Sequence, residues 1–400
     1  MWWGRPPLSL RAIGEAKTPT RDIIMASRSA PVAHLNRIAT AVPRNDMHRR
    51  FVEFAESRLR ARDASLFRRM AQRSGIEHRY SCLGPAGEPG TIQPEDFYRI
   101  GDFPSTATRM AVFERQAPKL AEAATARLDL GRDRQNISHL IIATCTGFSA
   151  PGLDLELTER LGLNPSVERT VVGFMGCYAA INALKLARHI VRSEPDARVL
   201  VVNLELCSLH FQDTTNLAQT LAFLLFADGC SAALVTAEPR GFALDSFHAA
   251  LVPDTAELIT WNIRDFGFDM VLSGEVPGAI QHALRAGASE VLRGASISAI
   301  DLWAIHPGGR TVLDAVEYAF RLAPEKLAVS REVLRRYGNM SSATVMFVLE
   351  AMMREARSGQ QGCAMSFGPG MVAETMLFRA VTAGAAPAQT AEAREPVPAL

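Results

Sequence analysis

"TVVGFMGCYAAINALKLARHIVRSEPD", residues 170–196, sets the reading of the whole chain. A short β-branched run halts at Gly173, the chain passes Gly176, and Cys177 opens an amphipathic helix. Ala180, Ile181, Leu184, Ala187 and Val191 recur near the 3.6-residue period, Lys185, Arg188 and Arg192 fall off that stripe, and Glu194-Pro195 ends it. Cys177 therefore stands in a first turn, where unpaired backbone N–H groups and the positive end of the helix dipole favour an anion. A thiol there either loses its proton more readily than the usual pKa of about 8.5 and acts as a nucleophile, or packs as a small hydrophobe. The stretch alone leaves both open.

Working outward, the same alternation continues. Residues 139–147, 170–174, 197–206, 230–238, 301–309, 362–370 and 375–381 read as strands. Helical patterns fill the gaps at about 51–73, 109–128, 154–162, 177–192, 311–322 and 340–357. Near-continuous apolar strands separated by helices predict an α/β layered fold with a sheet buried on both faces. An internal echo suggests duplication. "MGCYAAINALKLA" and "YGNMSSATVMFVLEAM" both set a glycine and a reactive side chain, Cys177 or Asn339, at the head of an apolar helix. Upstream of each lies a strand ending in small residues, "IIATCTG" and "LWAIHPGG".

Composition narrows the classes. Acid and base nearly cancel at +1, so no broad cationic surface points to nucleic acid. The six cysteines (82, 145, 177, 207, 230 and 363) include no CxxC pair, which argues for free thiols in a reducing, cytoplasmic setting and against a disulfide framework or a metal site. No apolar run is long enough for a membrane span, and the start lacks the h-region of a secretory signal. Residues 1–30 read as a flexible extension or as sequence upstream of a true start at Met25, and the Ala/Pro-rich residues 383–400 as a disordered tail.

Two further residues complete a chemical set. His306, in "AIHPGGRTVLD", ends an apolar strand, where α/β sheets build ligand sites; taken alone it reads as a satisfied core histidine. Asn339 alone reads as a helix N-cap. Together, Cys177, His306 and Asn339 offer a nucleophile, a partner for its proton and a second donor for a developing oxyanion. "SFGPGMVAET" (366–375) adds a glycine-rich turn suited to close backbone approach.

These motifs, in the order "GFMGCYAAINALK", "AIHPGGRTVLD", "YGNMSSATVMFVLE", resemble type III polyketide synthases, the chalcone-synthase-like group, from about Pro31 to Val381. The resemblance implies a thiolase-like duplicated αβαβα layered fold, with residues 31–245 as the nucleophile-bearing half and 246–382 as the half holding His306 and Asn339. It implies a homodimer that uses acyl-CoA and malonyl-CoA and needs no metal or redox cofactor. Cys177 resembles the acyl-accepting cysteine, and His306 with Asn339 the pair that holds the thioester carbonyl during malonyl-CoA decarboxylation. Phe226 and Phe268 resemble gatekeepers, with ordinary core packing as the plain alternative. Arg69 and Arg73 match basic contacts to coenzyme A, while Leu66 stands where plant members often carry lysine.

The pocket stretches depart from plant chalcone synthases at Cys145, Thr146, Cys207, His210, Ala222 and Ala150. "LELCSLHFQ" is similar to bacterial members that take long fatty acyl starters and make alkylpyrones or alkylresorcinols. The nearest alternative is a tetrahydroxynaphthalene-type synthase using malonyl-CoA alone. A β-ketoacyl carrier-protein synthase III shares the Cys-His-Asn set, a Cys-His-Asn protease shares only the residue types, and a degenerate thiolase-fold binding protein would leave the three unreactive.

Overall fold

The computed structural model describes residues 31–84 and 93–381; the extension at 1–30 and the tail at 383–400 lie outside it. The chain opens with β1 (His34–Ala41), α1 (His48–Arg58), α2 (Ala61–Arg73) and α3 (Thr106–Leu128). There follow β2 (His139–Thr144), α4 (Leu153–Leu161), β3 (Glu168–Gly173), α5 (Ala179–Ser193), β4 (Val199–Leu206), α6 (Leu217–Phe223) and β5 (Asp228–Thr236). The second half runs β6 (Phe242–Leu251), β7 (Ile259–Arg264), β8 (Gly267–Leu272), α7 (Val276–Val291) and β9 (Leu302–Ile305). It closes with α8 (Arg310–Phe320), α9 (Ala328–Tyr337), α10 (Thr344–Glu355), β10 (Gln361–Gly368) and β11 (Val372–Ala380).

Nine strands form one mixed sheet in the order β9-β10-β11-β6-β1-β5-β4-β2-β3. The two ends of that list repeat each other. β1 pairs antiparallel with β5, β5 antiparallel with β4, and β4 parallel with β2. In the same way β6 pairs antiparallel with β11, β11 antiparallel with β10, and β10 parallel with β9. The halves join through two residue pairs, His34↔Ala243 and Leu35↔Phe242. The duplication anticipated from the helix heads is thus a topological one.

Side-chain alternation builds the layers. In β2, Ile141 and Ala143 face a core shared with α5 and α10, while Leu140 and Ile142 face α3 and α4. β9 behaves alike: Ala304 turns to the shared core, Trp303 and Ile305 to α7 and α8. The order helices, one half of the sheet, central helix pair, other half of the sheet, helices is the αβαβα architecture. Being central, α10 buries six consecutive residues, Thr344 to Leu349, and reads as apolar all round. Each such large aliphatic or aromatic side chain contributes about 1.5–3 kcal/mol relative to exposure.

Several elements differ from the sequence reading. β3 is not buried on both faces: it lies at the sheet edge, with Val171 45% exposed. The helix expected over 51–73 is two, because Leu59 and Arg60 take extended backbone between α1 and α2. α7 was overlooked because Pro277, Gly278 and Gly287 dilute its helical pattern, and Gly287 does leave helical geometry. β1 and β6 were overlooked as well.

Candidate active site

Gly176 and Gly338, each just before a reactive residue, both take positive φ (66° and 68°), a region that suits glycine. Gly176 also has no room for a side chain: a Cβ there would lie 2.1 Å from Cδ of Pro369, in the turn between β10 and β11. That glycine-rich turn therefore does make the close approach its composition suggested. Gly176→Ala should destabilise the fold by about 1–3 kcal/mol and displace Cys177, seen as a lower denaturant midpoint together with slower acylation.

Cys177 follows in a 3-10 turn, Gly176–Tyr178, that leads into α5. Asn339 holds the equivalent place before α10, and His306 follows β9, the counterpart of β2. A chain of contacts links them. The Cys177 thiol lies 3.8 Å from Oγ of Ser341. The Ser341 backbone N–H donates to Oδ1 of Asn339 (2.9 Å), and Nδ2 of Asn339 donates to the Gly308 carbonyl (3.2 Å), within the turn that carries His306. Among the described residues, neither ring nitrogen of the buried His306 has a hydrogen-bond partner.

All three residues line one cavity of about 570 Å³. Cys145, Thr146, Cys207, Ala222 and Phe226 share its wall, and Arg73 stands in its lining as well. Of the three thiols there, Cys177 alone is partly exposed; Cys145 and Cys207 are buried. Burial pushes the Cys177 thiol up to about 12, opposed by its hydrogen bonds with Ser341 and Asn339. Burial drives the His306 imidazole down to about 3. Neither charge is stable here by itself at neutral pH. A thiolate in this cavity therefore needs a positive partner on the cavity wall before it forms at neutral pH.

Four sequence candidates fall elsewhere. Arg69 and Ala150 are exposed and outside the cavity wall. His210 is buried: its Nε2 donates to the Thr146 carbonyl (2.7 Å) and its Nδ1 accepts from the Phe268 N–H (3.1 Å). The Phe268 ring stacks on His210 at 4.1 Å. The β7–β8 hairpin instead presents the cross-strand pairs Trp261/Met270 and Ile259/Leu272 to the cavity. Counting back in twos along that face would have found Met270.

Glu205 and Ser341 were also passed over. Glu205 is a lone acid in the apolar run "VLVVNLEL", and that incongruity is the signal. Its carboxyl accepts from the Cys145 N–H (2.9 Å), the Thr146 hydroxyl (2.9 Å) and the Ser342 hydroxyl (2.5 Å), tying the end of β2 to the head of α10. Burial raises it to about 7 against those three donors. Phe226 has a firm backbone. It bridges Asn339 through Asn339 N–H to the Leu225 carbonyl (2.8 Å) and Ala227 N–H to the Asn339 carbonyl (2.9 Å). The buried Arg79 donates to the carbonyls of Phe223 and Phe226 (2.9 and 2.7 Å).

The arrangement supplies a thiol, an unpartnered imidazole and a carboxamide around an apolar chamber, the parts needed for acyl transfer through a covalent thioester. Models of the N-terminal and C-terminal domains of chalcone and stilbene synthases match residues 21–239 and 243–382. The chain belongs to the chalcone and stilbene synthase family. This synthase is 35% identical over 364 residues to the alpha-pyrone synthesis polyketide synthase-like protein Pks18 of Mycobacterium tuberculosis, spanning 87% of this chain and 91% of that one. It is 32% identical over 399 residues to bisdemethoxycurcumin synthase of Oryza sativa, spanning 92% and 98%. Its fold matches the C-terminal type III polyketide synthase domain of Steely1 from Dictyostelium with a TM-score of 0.80 at 27% identity, covering 88% of this chain and all of that domain (100%). The synthase is a type III polyketide synthase, an acyltransferase of decarboxylative condensation that uses malonyl-CoA and acyl-CoA. Among the described residues, none of its helices is long and apolar enough to cross a membrane.

Proposed function

We propose that this synthase loads a long-chain fatty acyl-CoA on Cys177, extends it with malonyl-CoA and closes the product as an alkylpyrone or alkylresorcinol. The carrying observation is the cavity itself: the reactive residues open onto a wall of small and apolar side chains, Cys145, Cys207, Ala222, Met270 and Leu272 among them. An alkyl chain binds such a wall through burial, at about 0.8 kcal/mol per methylene. The alpha-pyrone name of the mycobacterial relative supports the product class.

In this reading the Cys177 sulfur, its proton passed to His306, attacks the starter carbonyl and expels coenzyme A. Malonyl-CoA then loses carbon dioxide, and the enolate oxygen accepts from neutral His306 and from Asn339. Nδ2 of Asn339 gives one hydrogen to the Gly308 carbonyl and turns the other towards the Cys177 sulfur, so a donor points at the reacting centre. The apolar Phe226 ring disfavours the malonyl carboxylate more than the neutral product. The carbanion equivalent attacks the Cys177 thioester carbonyl and expels the Cys177 sulfur, leaving the chain, two carbons longer, on coenzyme A. The freed thiolate takes it back, again expelling coenzyme A, before the next round. No electron is gained or lost overall, so the cycle calls for no redox cofactor, and the donors of His306 and Asn339 take the part a Lewis-acid metal would play at the enolate oxygen. In this reading Arg73, in the cavity lining, meets the coenzyme A phosphates, and Arg69, on the same helix but outside that lining, adds positive charge nearby. Soluble thioester substrates fit a cytoplasmic enzyme.

Purified synthase should turn over labelled malonyl-CoA faster with dodecanoyl- or stearoyl-CoA than with hexanoyl-CoA or no starter, with products identified by mass. If no starter improves on malonyl-CoA alone, the fatty acyl reading falls and the tetrahydroxynaphthalene-type reading takes its place. We further propose a homodimer through the edge strand β3, where Val171, Met175 and Phe148 are 45%, 36% and 37% exposed. Light scattering should give twice the chain mass, and Val171→Lys should shift it towards the monomer.

A further inference from the structure

Arg79 and Arg109 are arginines with no exposed surface at all. A buried charge is costly unless it is paired. Asp46 and Asp228 favour the Arg79 charge through space, but neither accepts a hydrogen bond from its guanidinium. Those N–H groups go instead to the carbonyls of Phe223 and Phe226 (2.9 and 2.7 Å) and to Nδ1 of His48 (3.0 Å). Among the described residues, Nη2 has no partner. Burial pulls the guanidinium down to about 9. An apolar side chain would fill this place at less cost, which points to a task beyond filling space.

The task is legible in what the side chain holds. Its stem stands where a side chain at 338 would be: a Cβ on Gly338 would lie 2.8 Å from Cγ and 3.1 Å from Cδ of Arg79. Its guanidinium gathers the two ends of residues 223–226. Within that stretch the Leu225 carbonyl accepts from the Asn339 N–H (2.8 Å), and just past it the Ala227 N–H donates to the Asn339 carbonyl (2.9 Å). One side chain thus fixes Asn339 from two directions, through Gly338 and through residues 225–227. The backbones of Cys177 and His306 are set elsewhere. Gly176 sits against Pro369, and the His306 N–H donates to the Met365 carbonyl (2.8 Å).

We propose that Arg79 is a positioning residue for malonyl-CoA decarboxylation, fixing the Asn339 carboxamide where the enolate oxygen forms. It stands outside the cavity lining and acts only through Asn339. This rests on the enolate role given to Asn339 above and adds the group that sets its place. A misplacement of about 1 Å costs roughly a hundredfold in rate, so a slight slackening of the brace has a large effect. Loading of Cys177 needs the sulfur and its proton acceptor and is spared. The two half-reactions therefore separate on one buried side chain.

Arg79→Met keeps a stem against Gly338 and removes the guanidinium, and Arg79→Lys restores the charge and part of the donors. Arg109→Lys is the control, since Arg109 likewise holds main-chain carbonyls, but those of Leu209 and Phe211. Loading is read by intact mass as the rate of acyl gain from hexanoyl- or dodecanoyl-CoA. Decarboxylation is read as labelled carbon dioxide released from malonyl-CoA, with the unfolding midpoint recorded beside both. Arg79→Met should lower decarboxylation by about tenfold to a hundredfold and loading by less than about threefold, with Arg79→Lys in between. Arg109→Lys should leave the ratio of the two rates unchanged. In an Asn339→Ala background, Arg79→Met should cost decarboxylation nothing more, because the group it positions is gone. A general loss of packing would add there as it does in the wild type. If loading and decarboxylation fall together, or the two substitutions add, the proposal is wrong while Asn339 keeps its role. If Asn339→Ala itself decarboxylates at the wild-type rate, the reading of Asn339 falls and this one with it. Should Arg79→Met not fold, the same ratio and cycle are read on Arg79→Lys, where a separation of less than about twofold overturns the proposal.

Discussion

Cys177→Ser should lower polyketide formation by at least about three orders of magnitude, because a hydroxyl in this chamber is far harder to ionise than a thiol and forms no thioester. The same variant should show no acyl adduct by intact mass after incubation with a starter, whereas the wild type gains one acyl mass. Cys145→Ser and Cys207→Ser, which alter buried thiols in the same wall, should keep the adduct. A Cys177→Ser protein acylated at any residue other than 177, located by peptide mass, would mean that another group carries the chain. The mechanism would then be wrong at its first step.

His306→Ala carries the second large effect. Loss of one donor to the enolate oxygen should slow malonyl-CoA decarboxylation by about 10²–10³-fold, read as release of labelled carbon dioxide. It should also strip the thiol of its proton acceptor. The sulfur is then left with its burial-raised pKa, so alkylation by iodoacetamide should rise about tenfold per pH unit between pH 6 and 9. Once Cys177 is acylated, no counter-charge remains for the imidazole. With its pKa pressed down to about 3, it stays neutral, and decarboxylation by preloaded wild-type enzyme should not fall between pH 8 and pH 5 on its account. A variant that decarboxylates at the wild-type rate would remove His306 from the chemistry. Asn339→Ala should share the loss of decarboxylation but leave the alkylation profile near that of the wild type.

Much of this was legible in the linear chain, for identifiable reasons. Strands such as "HLIIAT" are buried on both faces and so read as unbroken apolar runs, and the central helices do the same. Gly176 and Gly338 could be paired because a positive φ before a reactive side chain leaves a mark in the residue type itself. What escaped depends on neighbours distant in sequence. Nothing local in "TVVGF" distinguishes an edge strand from an inner one. Phe268 is the conspicuous ring in its hairpin, yet hairpin register brings Met270 to the cavity and sets Phe268 against His210. Glu205 looks anomalous until Cys145, Thr146 and Ser342 supply its donors from two other elements.

The bridge between Phe226 and Asn339 has a bearing on how such an enzyme can diversify. Phe226 and Asn339, two residues of the cavity wall, are laced together by main-chain bonds and braced by Arg79. Exchanging one ring for another at 223 or 226 leaves that lacing intact, so descendants can drift in which acids they accept. An inserted or deleted residue within 225–227 or directly beside Asn339 would unpick it and shift the cavity wall at once. Repertoire is therefore free to wander through side chains, while the scaffold under the reaction stays put.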